Sequence, residues 1–287
     1  MESTFDVRLH GSQIDFGNLT GLIGTWTGAN GFNMIAVPDQ QGGFTLLVDS
    51  FTETMVVNAV PATTPNRGYK VIENIPTLQY STTISETPNG ALMHVECGFW
   101  EVSDPSLNDG FDIFRIASVP HGNAAEAMGN SSVTAGPPVI DPALNGVPTG
   151  DLPPIFGYKD PYGAPFKYTD PQFSPETPNQ TLIDYLAAQE KEGLTVTQTI
   201  TLQVSTQNAG GMSNIASLRP SSTQIDVIPT QFDATFWLET LQDAKGNVFQ
   251  QLQYSQRILL DFPVKSDQPG QTITWPHINV NTLRLVS

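Results

Sequence analysis

The chain has only four histidines, and three of them stand where an imidazole could do chemistry. His94 opens the run His94-Val95-Glu96-Cys97-Gly98-Phe99-Trp100. In an extended chain His94, Glu96 and Trp100 project to one face, beside the gap left by Gly98. A histidine and a glutamate at that spacing can orient an imidazole for acid–base work, and they can equally be a surface cross-strand pair. His121 lies between Pro120 and Gly122, just after a strand end, which puts it at a rim; an ordinary loop histidine has the same neighbours. His277 follows Trp275-Pro276, where the proline sets the entry to a final strand over 278–286, so its ring is either aimed at a ligand or purely structural. His10 has no partner nearby in the sequence.

Other chemistries find little support. There is no Gly-x-Ser-x-Gly, no phosphate-binding loop and no His-Glu-x-x-His. Cys97 is the single cysteine, so a disulfide framework and a multi-cysteine metal site are excluded. Its neighbour Glu96 offers no cation to stabilise a thiolate, so Cys97 is not a reactive nucleophile. Two or three histidines can hold a metal, but their sequence positions do not force them together.

The elements that must position these residues are strands. In 194–205, Val196, Ile200, Leu202 and Val204 fall on one face, and Thr195, Thr197, Thr199, Thr201 and Gln203 on the other. The stretches 77–86 and 252–262 alternate in the same way. Strands with one buried and one wet face belong to antiparallel sheets. Pro88-Asn89-Gly90, Gln41-Gly42-Gly43 and 243–247 read as hairpin turns. Roughly ten such strands joined by short turns predict an all-β, antiparallel up-and-down barrel, because closure removes exposed edges. Gly24-Thr25-Trp26 reads as the start of the first strand, with the indole as a plug at one end and Gly28 and Gly31 marking a bend. Gly210-Gly211 reads as a turn.

The chain is expected to be one barrel domain over 1–287, with 123–193 inserted between strands. Most of that insertion, 137–178, is rich in proline and aromatic residues and reads as a long loop. The stretch 181–193 then reads as one short helix, capped by Asn179 or Thr181 and ended by Gly193, serving as a plug or lid.

With 28 acidic and 12 basic residues the net charge is −16, which disfavours nucleic acid and anionic membranes as partners. The first residues lack a basic-then-apolar signal pattern, and no window is apolar enough to span a bilayer, so a cytoplasmic protein is expected. A homo-oligomer is left open.

Several blocks together resemble a family of bacterial-type haem-binding proteins with a nitrobindin-like, or fatty-acid-binding-protein-like, calycin barrel. They are 22–33 (Leu-Ile-Gly-Thr-Trp-Thr-Gly…Gly-Phe-Asn), 93–100, 116–122 (Ile-Ala-Ser-Val-Pro-His-Gly), 210–215, 236–240, 252–256 and 275–283. Asn30 departs from the family's glycine pattern, and Asn279 and Asn281 make the last strand more polar than expected. The resemblance implies that b-type haem is held non-covalently, with His277 as the iron ligand and Trp26 and Phe32 as further cofactor-binding residues. His94, Glu96 and His121 are then pocket or catalytic candidates, with peroxidase-like or small-gas chemistry in view. Arg284 is expected over Trp26. The alternatives are a haem-free, lipocalin-like carrier of an apolar small molecule, and a cofactor-independent isomerase or cyclase using His94 and Glu96.

Overall fold

The computed structural model describes residues 14–38, 44–87, 89–142, 177–214, 227–263 and 272–286. His10 and most of the proline-rich stretch, 143–176, lie outside them. The strands are β1 (Gly24–Pro38), β2 (Phe44–Ala59), a small ribbon of β3 (Thr64–Pro65) and β4 (Asn74–Ile75), β5 (Thr77–Glu86), β6 (Leu92–Val102), β7 (Ile113–Val119), β8 (Asn123–Ala135), β9 (Thr195–Ser205), β10 (Gly211–Asn214), β11 (Ile228–Gln242), β12 (Val248–Pro263) and β13 (Thr272–Leu285). A 3-10 turn (Gly17–Leu22) precedes β1, and one helix, α1 (Gln180–Lys191), precedes β9.

Ten strands pair antiparallel in the order β8-β7-β6-β5-β2-β1-β13-β12-β11-β9, and β9 returns to β8. The sheet is therefore a closed up-and-down barrel, as the alternation predicts. Short β10 adds an eleventh strand on β8, so Gly211 starts a strand rather than completing a turn.

Two boundaries differ from expectation. Residues 123–135 are not the start of an insertion: they form β8, paired to β7 and β9, and close the ring. Its run of alanines, serines and asparagines has low strand propensity, and only the neighbouring strands make it extended. The final strand begins at Thr272 rather than Ile278, so His277 sits within it. Residues 272–277 pair with β12 but not with β1, and that one-sided edge is where Pro276 is tolerated.

One end of the barrel is filled. Trp26 is fully buried there with Leu19, Leu22, Leu78 and Leu283, and its Nε1 donates to Leu22 O at 2.8 Å. The plug is thus the indole together with the 3-10 turn. Arg284 does not cover it. Trp26 pairs with Leu285, whereas Arg284 pairs with Thr27 and Gln251, so the period of two turns the guanidinium to the outer face.

Halfway along β1, three steps from Gly28 to Gly31 oppose two steps, Glu53 to Phe51, on β2. That extra residue is a β-bulge, and it reverses which residues face inward. Trp26 points in before it; Asn33 and Ile35 face the lumen after it, and Phe32 and Met34 turn outward. A Cβ on Gly31 would lie 2.3 Å from the Phe51 ring, so this close approach requires glycine.

Helix α1 lies on the outside of the barrel, and so is neither plug nor lid of its lumen. Leu182, Ile183 and Leu186 pack on Phe32, Met34, Trp237, Ile278 and Val280. Asn179 occupies the N-cap position but makes no cap bond, and Gly193, at φ +86°, follows the C-terminus in the left-handed conformation. Beneath the helix, Glu239 is fully buried; Gln251 Nε2 donates to its Oε2 at 2.6 Å, and Gln189 and Gln251 bond each other. Burial pushes the Glu239 carboxyl up to about 8, against the opposing effects of Gln251 and Arg284.

Candidate functional site

At the end away from Trp26 the lumen holds a cavity of about 230 Å³. His94, Glu96, His121 and His277 all line it, together with Glu53, Arg115, Tyr254, Gln256 and Asn279. The ring therefore assembles three histidines that are up to 183 positions apart (277 − 94) in the sequence.

Strand β6 delivers His94 and Glu96 to one face, as their spacing predicts. His94 Nε2 is 3.5 Å from Glu96 Oε2, and the His94 and His121 rings meet edge-on with centroids 4.8 Å apart. Burial lowers the affinity of His121 for a proton, and neighbouring His94 lowers it further, although Glu96 opposes both.

Glu96 has a closer partner on the neighbouring strand β7. Arg115 Nη2 donates to Glu96 Oε1 at 2.6 Å, Tyr80 OH donates to the same oxygen at 2.5 Å, and Arg115 Nη1 donates to Gln256 Oε1 at 2.6 Å. The guanidinium also lies 5.0–5.5 Å from the ring centres of Phe236, Phe232, Tyr80 and Trp100. Rings at that range attract a cation, so a buried arginine is held on several sides. Burial alone would raise the Glu96 carboxyl, but Arg115, His94 and Tyr80 together outweigh it and hold Glu96 at about 2. Glu96 is thus an anion fixed by arginine through Oε1, with His94 beside its Oε2.

A second carboxylate sits deeper. Tyr254 OH and Asn281 Nδ2 donate to Glu53 Oε2 at 2.6 and 2.8 Å. Burial nonetheless raises the Glu53 carboxyl, the two bonds opposing it.

His277 faces Asn33, which the bulge has turned inward: its Nε2 lies 2.8 Å from Asn33 Oδ1. Burial depresses the imidazole to about 4, helped by His94, so the ring is neutral over the physiological range. With Asn33 accepting, Nε2 carries the hydrogen, and Nδ1 is left with the free electron pair. An imidazole that is neutral and held through one nitrogen meets two requirements of a haem ligand. Nε2 can reach iron only if Asn33 releases it. The cavity is also smaller than the usual site of a drug-sized ligand, so a tetrapyrrole must extend past the rim.

Trp26 and Phe32 do not meet the cavity. Trp26 is in the closed-end core, and Phe32 is on the outer wall under α1 because the bulge shifts the phase of β1. Among the described residues, no group of three or more histidine, cysteine, aspartate and glutamate side chains is arranged to hold a metal ion by itself. Cys97 is exposed, on the outer face of β6. Among the described residues, no helix is long and apolar enough to cross a membrane.

Arg115, Tyr80, Glu53, Tyr254 and Asn33 are absent from the sequence-based set. One signal was available. In Ile113-Phe114-Arg115-Ile116-Ala117, the arginine shares the phase of Ile113 and Ala117, which are buried.

No family model matches the chain, and no curated protein matches it. Among solved structures it is similar to "Crystal Structure of Rv2717c from M. tuberculosis", at 14% identity and a TM-score of 0.45, over 94% of this chain and 95% of that one. This is a distant likeness of fold. The resemblance to haem-binding barrels therefore rests on the sequence blocks alone.

Proposed function

We propose that this barrel binds a small, largely apolar ligand at its three-histidine end, and that the ligand is b-type haem with His277 as the iron's protein ligand. The observation that supports this reading is the neutral, half-buried imidazole of His277, fixed through Nε2 by Asn33 on the wall of the lumen cavity. Haem bound there would supply an iron able to take a small gas or peroxide. His94 and His121 would face that open side, and the arginine-anchored Glu96 would keep His94 oriented.

The test is the absorption spectrum of the full chain titrated with haemin. A Soret band that His277→Ala loses is expected. A protein that takes up no haemin, or whose band is unchanged in His277→Ala, would overturn the haem reading.

A second reading is a haem-free site that moves a proton on an apolar substrate; it is favoured by the contact of His94 with Glu96. Here the apolar fluorophore N-phenyl-1-naphthylamine should bind without haem, and His94→Ala should alter the pH dependence of binding while His277→Ala does not.

A further inference from the structure

The outer wall of the barrel carries a second cavity, of about 440 Å³, over β9, β11 and β12. Its floor is set by register. Gln203, Thr235 and Ser255 form one cross-strand row, Ser205, Asp233 and Arg257 the next, and Thr201 pairs with Trp237 beside them. All project outward, opposite Leu202, Ala234 and Phe236 of the inner core. Val139, Asp141 and Asn179 form the wall above.

Three of the side chains lining this cavity carry a buried polar atom that has no hydrogen-bond partner among the described residues: Asn179 Oδ1, Ser255 Oγ and Arg257 Nε. Asn179 and Ser255 are only 6% and 5% exposed. The Asn179 assignment is secure, since its Nδ2 donates to Asp141 O at 2.9 Å and leaves Oδ1 on the other side. Leaving such groups unmatched is costly, so three around one cavity is an arrangement that a ligand would relieve.

The chemistry of that ligand follows from the lining. Arg257 Nη2 bonds Asp233 Oδ2 at 2.8 Å, and Ser205 and Gln231 also donate to Asp233, so the ion pair is internally neutralised. What remains on offer is one N–H donor, one carbonyl acceptor, hydroxyls that do both, and the apolar indole of Trp237. A net charge of −16 disfavours an anion. We propose that this outer cavity is a binding site for a neutral polyhydroxylated molecule of pyranose or cyclitol size. Such a molecule has hydroxyls that donate and accept in turn and an apolar C–H face for the indole. This site is separate from the lumen and does not depend on what the lumen holds.

The experiment is saturation-transfer difference NMR on the full chain with D-glucose, D-galactose and myo-inositol at millimolar concentrations. Transfer to at least one of them is expected in the wild type and, undiminished, in His277→Ala. Ser255→Leu, which fills the floor, and Thr235→Val, which keeps its shape, should each weaken binding, the former about tenfold or more. Three outcomes would overturn the proposal: no transfer to any of the three probes, transfer lost in His277→Ala, or transfer unchanged in whichever of the two floor variants folds.

Discussion

Arg115 Nη2 lies 2.6 Å from Glu96 Oε1, both side chains enclosed by the barrel, and this contact organises the cavity's polar wall. Removing one partner of a buried pair strands the other charge. Arg115→Met is therefore expected to destabilise the fold by about 3–5 kcal/mol in urea unfolding at neutral pH. The double variant Arg115→Met/Glu96→Gln should recover part of that loss. The sign with pH is fixed by the depressed carboxyl of Glu96, at about 2 against an ordinary 4.5. Its contribution is complete above 4.5 and fades as pH falls towards 2. If Arg115→Met were as stable as the wild type, the pair would not be holding the wall.

Glu239 has the opposite sign. Its carboxyl, raised to about 8, keeps a proton in the folded state that the unfolded chain gives up near 4.5. The stability it contributes is complete below 4.5 and is lost as pH rises to 8. Glu239→Gln is expected to be more stable than the wild type at pH 8, by about 2–4 kcal/mol, with little difference at pH 5. Thermal unfolding at the two pH values checks this; a loss of stability at pH 8 would refute it.

A Cβ on Gly98 would lie 1.9 Å from Ile116 O and 2.9 Å from the Tyr80 ring. The first neighbour is backbone and cannot swing away. Gly98→Ala is expected to cost about 1–3 kcal/mol and to disturb the Tyr80–Glu96 bond. Gly211→Ala meets nothing within 4 Å and serves as the control, with unfolding midpoints as the measure.

How much of this was legible in the sequence depended on how local the cause was. Strands such as β5 and β9 could be read because their alternation reports one wet and one dry face. The barrel followed from their number and short turns. Strand β8 could not be read, since its inward Ala125, Ala127 and Gly129 are small and its extension is imposed by β7 and β9. Phe32 was misplaced because the bulge, set by long-range register, reverses the phase of β1 after Gly28. The histidines could be picked out because they are few. That they share a cavity could not, because their meeting depends on closure of the whole ring. Arg115 and Asn33 were hidden for the same reason: each gains its role from partners on other strands.

The seam between β1 and β13 has a consequence for how the molecule is made. Every other pairing in the ring joins ring strands that follow one another along the chain, whereas this one joins residues 24–38 to 272–285. During synthesis on the ribosome, β1 must wait with its outer edge unpaired until β13 has emerged, and β12 waits with it. His277 lies on that late strand and Asn33 on that early one. The imidazole is thus locked only when the barrel closes, and a nascent chain stalled before β13 would have two sticky edges and no complete site.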